Sequence, residues 1–137
     1  MCRRRGWTSW SSSYAFLAVC PSRQLLDRIS DKWVVLILCG LGGEGAEDPG
    51  TPAPMRYSEL SRLLAGVSQK MLTQTLRSLE RDGLVTRTVT PTVPVTVTYE
   101  LTDLGLSLYR TTRQIRTWAQ DHMDDVQAHR DIYDAGA

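Results

Sequence analysis

The segment from Ser68 to Gly83 most constrains how this chain can fold. At ~100° per residue, Leu72, Thr75, Leu76 and Leu79 fall on one stripe. Lys70, Gln74, Arg77 and Arg81 fall on the opposite stripe, with Thr73 at its edge. Ser68 is placed to cap the helix, and Gly83 stands where a helix stop calls for a left-handed residue. Such a helix needs an apolar surface under its leucines and leaves its Lys, Gln and Arg facing outward. That outer face is either a solvated surface or a set of donors suited to base edges in a DNA major groove. Its neighbours decide between the two.

Upstream, Glu59 to Ala65 is predicted as a helix capped by Ser58, with Leu60, Leu63 and Leu64 inward and Gly66-Val67 as a tight turn. Met55-Arg56-Tyr57 suits a short strand. Downstream, Leu84 to Thr90 and Val95 to Leu101 read as strands of β-branched, alternating residues around the turn Pro91–Pro94. A helix-turn-helix followed at once by a hairpin is a winged helix. The predicted fold is mainly α with a small β-hairpin (α+β).

Further helices flank this unit. Pro21 to Ile29 is expected to turn Leu25, Leu26 and Ile29 inward. Asp31 caps Lys32 to Leu41, with Gly40 and Gly42 as its stop. Trp33-Val-Val-Leu-Ile-Leu38 is apolar nearly all round, so helix competes with buried strand there, and the cap and stop favour helix. Residues 42–54 are a Gly- and Pro-rich acidic loop. Its Gly42-Gly43-Glu44-Gly45 lacks the Lys-Ser/Thr of a phosphate-cradling loop. Thr102 caps a long final helix whose Leu104, Leu108, Ile115, Trp118 and Val126 share a face and suit dimerisation. Residues 1–13 and 127–137 are expected to be flexible tails around one domain spanning 14–126.

Length, charge and cysteine usage narrow the class. A chain of 137 residues suits one domain with an ordinary core. The net charge is only +1, but residues 1–40 carry +4, residues 41–54 carry −3, residues 55–100 carry +2 and residues 101–137 carry −2. A basic front half suits phosphate. The six-residue apolar run Tyr14–Val19 falls short of the ~7–15 of a secretory core. With no stretch of ~20 apolar residues, a cytoplasmic protein without membrane contact is expected. Cys2, Cys20 and Cys39 form no CxxC and leave an odd number, against structural zinc or a disulfide framework. No catalytic constellation or cofactor fingerprint is present, so neither an enzyme nor a cofactor is expected. His122 and His129 suit a solvated helix end better than a metal site.

The pieces Cys20-Pro21, Asp31-Lys32-Trp33, Arg56-Tyr57-Ser58-Glu59-Leu60, Ser68-Gln-Lys-Met-Leu72, Leu76 to Val85 and Tyr99 to Gly105 occur in an order and spacing that resemble the HxlR-type winged-helix transcriptional regulators, a branch close to the MarR regulators. The resemblance covers about residues 20–126. It implies a homodimer on double-stranded DNA with a pseudo-palindromic operator, most simply a repressor. The recognition helix would carry Gln69, Lys70, Thr73, Gln74 and Arg77, and the Arg87–Tyr99 hairpin would be the wing. Ser58, Ser68, Arg56 and Arg87 are candidate phosphate contacts, and Arg81 is balanced between phosphate and a surface ion pair. The resemblance also implies a thiol sensor at Cys20. A helix start can lower a thiol pKa, though an inert buried cysteine fits equally. Cys39, about 120° off its helix's main stripe, is a candidate resolving partner. The effector would be a thiol oxidant or a small apolar molecule. Three departures stand out: the long 42–54 loop, a second wing strand with no basic residue at its start, and Cys39 in place of a more usual polar residue. The rival reading is a winged-helix protein–protein module with no role on DNA.

Overall fold

The computed structural model describes residues 21–44 and 51–136. Its elements are α1 (Pro21–Ile29), α2 (Lys32–Cys39), β1 (Met55–Arg56), α3 (Tyr57–Leu63), α4 (Gln69–Arg81), β2 (Val85–Thr90), β3 (Thr96–Leu101) and α5 (Asp103–Gly136). The expected tail 1–13, together with Cys2 and Cys20, lies outside the described residues.

Helix α2 starts where its cap predicts: the Asp31 carboxylate accepts from the Trp33 N–H at 2.8 Å. Helix prevails over strand because Val34, Ile37, Leu38 and Cys39 find cover on several sides. Gly40 and Gly42 do not stop the chain's winding. The chain winds on in a π-helical turn from Gly40 and breaks from helical geometry at Gly43, whose φ is +98°; Gly40 to Gly43 are buried. The acidic loop therefore begins later than position 42. Gly42 is small because the Tyr109 ring of α5 rests on it, and an added Cβ would lie 2.4 Å from that ring.

Helix α3 begins two residues earlier than expected. The Arg56 N–H donates to the Glu59 carboxylate at 3.1 Å, which makes Arg56 the cap residue and puts Ser58 inside the first turn. Leu60 and Leu64 are buried, but Leu63 is largely exposed, because α3 ends at Leu63 and the chain turns away there. Helix α4 follows its prediction closely. Ser68 Oγ accepts from the Met71 N–H at 3.0 Å, and Leu72, Thr75, Leu76 and Leu79 are all buried. Gly83 follows at φ +76°, the left-handed conformation that ends the helix.

The strands form one antiparallel sheet in the order β1-β3-β2. Val85 pairs with Leu101 and Thr90 with Thr96, while Met55 pairs with Tyr99. Only Val85 of β2 is buried, so the β2–β3 hairpin stands away from the core. The core itself gathers Val34, Ile37, Leu38, Leu41, Leu60, Leu64, Leu72, Leu76, Leu79, Leu84, Val85, Tyr99 and Tyr109.

Two expectations fail at the ends. Helix α1 buries no residue: Leu25 is 45% and Leu26 48% exposed. Helix α5 does not stop near residue 126 but runs to Gly136. No Gly or Pro interrupts residues 106–135, and the Gln127 amide donates to Asp131 one turn on at 2.9 Å. No helix among the described residues is long and apolar enough to cross a membrane.

Candidate nucleic-acid interface

The predicted contact residues divide over α4 and its surroundings. Gln69, Lys70, Gln74 and Arg77 are exposed, and Thr73 is half-buried. Arg56, Ser58, Gln69, Thr73 and Arg87 line one cleft of about 520 Å³ between the start of α4 and the sheet. Tyr57, Tyr99 and wing residues Pro94 to Val97 complete its walls. The cleft forms because the α3–α4 turn brings both helix starts together while β3 pairs with β1 beside them. Gln74 lies on the other flank of α4, beside Asp27, Arg28 and Asp31. Lys70 and Arg77 fall between the two flanks at the helical repeat. Ser68 has a structural task as the α4 cap, while Ser58 is exposed beside the cleft.

Two participants escape sequence reading. Tyr57 reaches from α3 to α4: its hydroxyl lies 3.2 Å from the Gln69 carbonyl oxygen and 3.1 Å from Thr73 Oγ1. These pairs are 12 and 16 residues apart in sequence, so only the helix crossing brings them together. At the far end of α4, Arg28 of α1 pairs with Asp82 at 2.5 Å. Asp82, rather than Arg81, makes the ion pair there.

The wing supplies little charge. Arg87 is its one basic residue, set across from Tyr99, and the tip residues Val93 and Val95 are exposed. The exposed cations nearby are Arg56 and Arg87 beside the cleft and Lys70 and Arg77 on α4.

Elsewhere, the turn after α2 meets α5 through charge. Glu44 Oε1 accepts from Arg116 Nη2 at 2.5 Å and lies 3.2 Å from Arg113 Nε. Burial pulls the Arg116 pKa down, but the Glu44 charge and hydrogen bond outweigh it, so the net shift is upward. Cys39 is 4% exposed in this neighbourhood. Burial pushes its thiol up to about 11, Glu44 adds to the rise and Arg116 opposes it. At neutral pH it holds its proton, an environment that does not generate the thiolate a resolving cysteine uses. On α5, Leu104, Ile115 and Trp118 are exposed, while Leu108 and Val126 are half-buried. His122 stacks on Trp118 with ring centroids 4.6 Å apart.

An exposed, cap-anchored helix behind a supporting helix, with a hairpin at its flank, is the arrangement of a winged helix-turn-helix. The HxlR-like helix-turn-helix family model matches residues 28–127. The chain belongs to this family. An uncharacterized HTH-type transcriptional regulator of Escherichia coli, YtfH, is 39% identical over 116 residues, which is 85% of each chain. The solved structure of the transcriptional regulator ytfH from Salmonella typhimurium superposes with a TM-score of 0.76 at 36% identity, covering 85% of this chain and 96% of that one. The redox regulator HypR, in its reduced form, superposes with a TM-score of 0.66 at 30% identity, covering 79% and 98%. The chain is thus a transcriptional regulator with a helix-turn-helix DNA-binding fold.

Proposed function

We propose that the chain acts as a homodimer that reads a pseudo-palindromic operator with α4 and represses transcription there. The gathering of Arg56, Ser58, Gln69, Thr73 and Arg87 around one cleft at the mouth of α4 carries this reading. Gln69, Gln74 and Arg77 face base edges, while Arg56, Arg87, Lys70 and the helix start meet phosphates. Dimerisation is supported by apolar side chains that the protomer leaves uncovered on α1 (Leu25, Leu26) and on α5 (Leu104, Ile115, Trp118).

The effector is a thiol oxidant acting at Cys20 or a small apolar molecule. The likeness to HypR, itself a redox regulator, supports the first. An apolar recess of about 270 Å³ between α1 and α5, lined by Leu25, Ile29, Leu84, Leu104 and Leu108, supports the second. Selection of bound sequences from random duplex DNA, with reduced and oxidised protein, tests the whole reading. A two-fold symmetric motif whose enrichment weakens on oxidation or on adding an apolar ligand is expected. No measurable DNA binding at low salt would instead favour a protein–protein module.

A further inference from the structure

The Tyr57 hydroxyl stands between two groups that cannot be treated alike. The Gln69 carbonyl oxygen, 3.2 Å away, only accepts, whereas Thr73 Oγ1, 3.1 Å away, both donates and accepts. Tyr57 owns a single proton. Both contacts are hydrogen bonds only if that proton goes to the Gln69 carbonyl and the Thr73 hydroxyl donates to Tyr57 Oη. The carbonyl four residues back from Thr73, the acceptor that a helical threonine commonly takes and that Thr75 takes toward Met71 at 2.8 Å, is the Gln69 carbonyl that the Tyr57 proton occupies. The proton of Thr73 is therefore spent inside the protein, while its lone pairs remain beside the cleft lined by Arg56, Gln69 and Arg87.

We infer that Tyr57 is a specificity-determining positioning residue: by holding the Thr73 proton, it makes Thr73 an acceptor-only reader of DNA. A hydroxyl free to rotate pairs with donors and acceptors alike and distinguishes bases poorly. One that can only accept selects a base presenting an amino group in the major groove, adenine N6 or cytosine N4, and disfavours the acceptor edges of guanine N7 and O6 and thymine O4. The inference rests on α4 entering the major groove.

The test compares base-preference profiles from random duplex DNA for wild type, Tyr57→Phe, Thr73→Val and the double variant. Tyr57→Phe keeps the ring and loses only the hydroxyl. Wild type should favour A or C at one position of each half-site. Tyr57→Phe empties the Gln69 carbonyl, so the Thr73 hydroxyl can turn back onto it and away from the base; that position should flatten by roughly fivefold, the scale of one neutral hydrogen bond, with the other positions and the salt slope unchanged. Thr73→Val should flatten the same position, and adding Tyr57→Phe should change nothing further. A Tyr57→Phe profile equal to wild type overturns the inference, as does an equal effect of Tyr57→Phe with and without Thr73. A uniform loss of affinity at all positions also overturns it, because that is the mark of a merely structural contact. Wild-type protein that binds DNA but enriches no sequence, or fails to bind at all, overturns the major-groove reading itself and is distinct from the preceding outcomes.

Discussion

Arg77 is exposed in the middle of α4, where a guanidinium can reach a guanine with two parallel donors. Arg77→Ala is expected to weaken operator binding by about 1–3 kcal/mol and to relax preference at one base pair, measured by electrophoretic shift on matched and substituted operators. Cys39 makes a different kind of prediction. Its native thiol keeps its proton up to about pH 11, whereas an ordinary cysteine gives it up near pH 9. Between those values the folded state binds more protons than the unfolded one, so the stability contribution is complete below about pH 9 and declines as pH rises toward 11. Melting temperatures of wild type should therefore fall more steeply over that window than those of Cys39→Ala. Equal slopes would remove Cys39 as the source. At neutral pH the same thiol should resist alkylation in the native protein and react only on unfolding.

The elements differ in how openly their sequences declare them. Helix α4 carries its own instructions: a Ser cap, a leucine stripe, polar residues opposite and a glycine after the end. Each corresponds to a feature of the fold. Helix α3 misled by two residues because Ser58 and Glu59 both offer capping chemistry, and the Glu59 bond to the Arg56 N–H wins. For α1 the periodicity was legible and the cover was not, since nothing in Leu25 or Leu26 says whether their partner lies in the same protomer. The cleft was legible as a residue set, because Gln69, Thr73, Arg56 and Arg87 belong to a recognisable helix and hairpin. Tyr57 and Glu44 were not, because their partners lie on other elements far along the chain. One junction offers a sharp test of packing. Where α5 starts, Thr102 N–H donates to the Leu84 carbonyl at 3.1 Å, and a Cβ on Gly105 would sit 1.9 Å from that same oxygen. Backbone cannot swing aside as a side-chain tip can. Gly105→Ala is expected to destabilise the fold by about 1–3 kcal/mol or more, read from the midpoint of urea denaturation.

At the scale of the whole molecule, the uncovered apolar faces of α1 and α5 make assembly the expected state. Ile115→Asp combined with Trp118→Asp places charge in the proposed dimer seam and should give monomers by sedimentation velocity. Operator affinity should then fall steeply, because one half-site replaces two. Binding by the intact dimer should weaken linearly in log–log terms as salt rises, with a slope of roughly −0.9 per phosphate neutralised. A shallow slope is expected for a hairpin this poor in cations, and adding a lysine at Thr96 should steepen it. The Glu44 contact acquires another meaning at this scale. Arg113 and Arg116 hold α5 at about a third of its length, and the 20 residues after Arg116, up to Gly136, extend roughly 30 Å beyond that grip at 1.5 Å per residue. A rod of that overhang is a lever: each degree of tilt at the pivot displaces its tip by about half an ångström. A few degrees of tilt at that point would thus become ångströms at the far end of the helix.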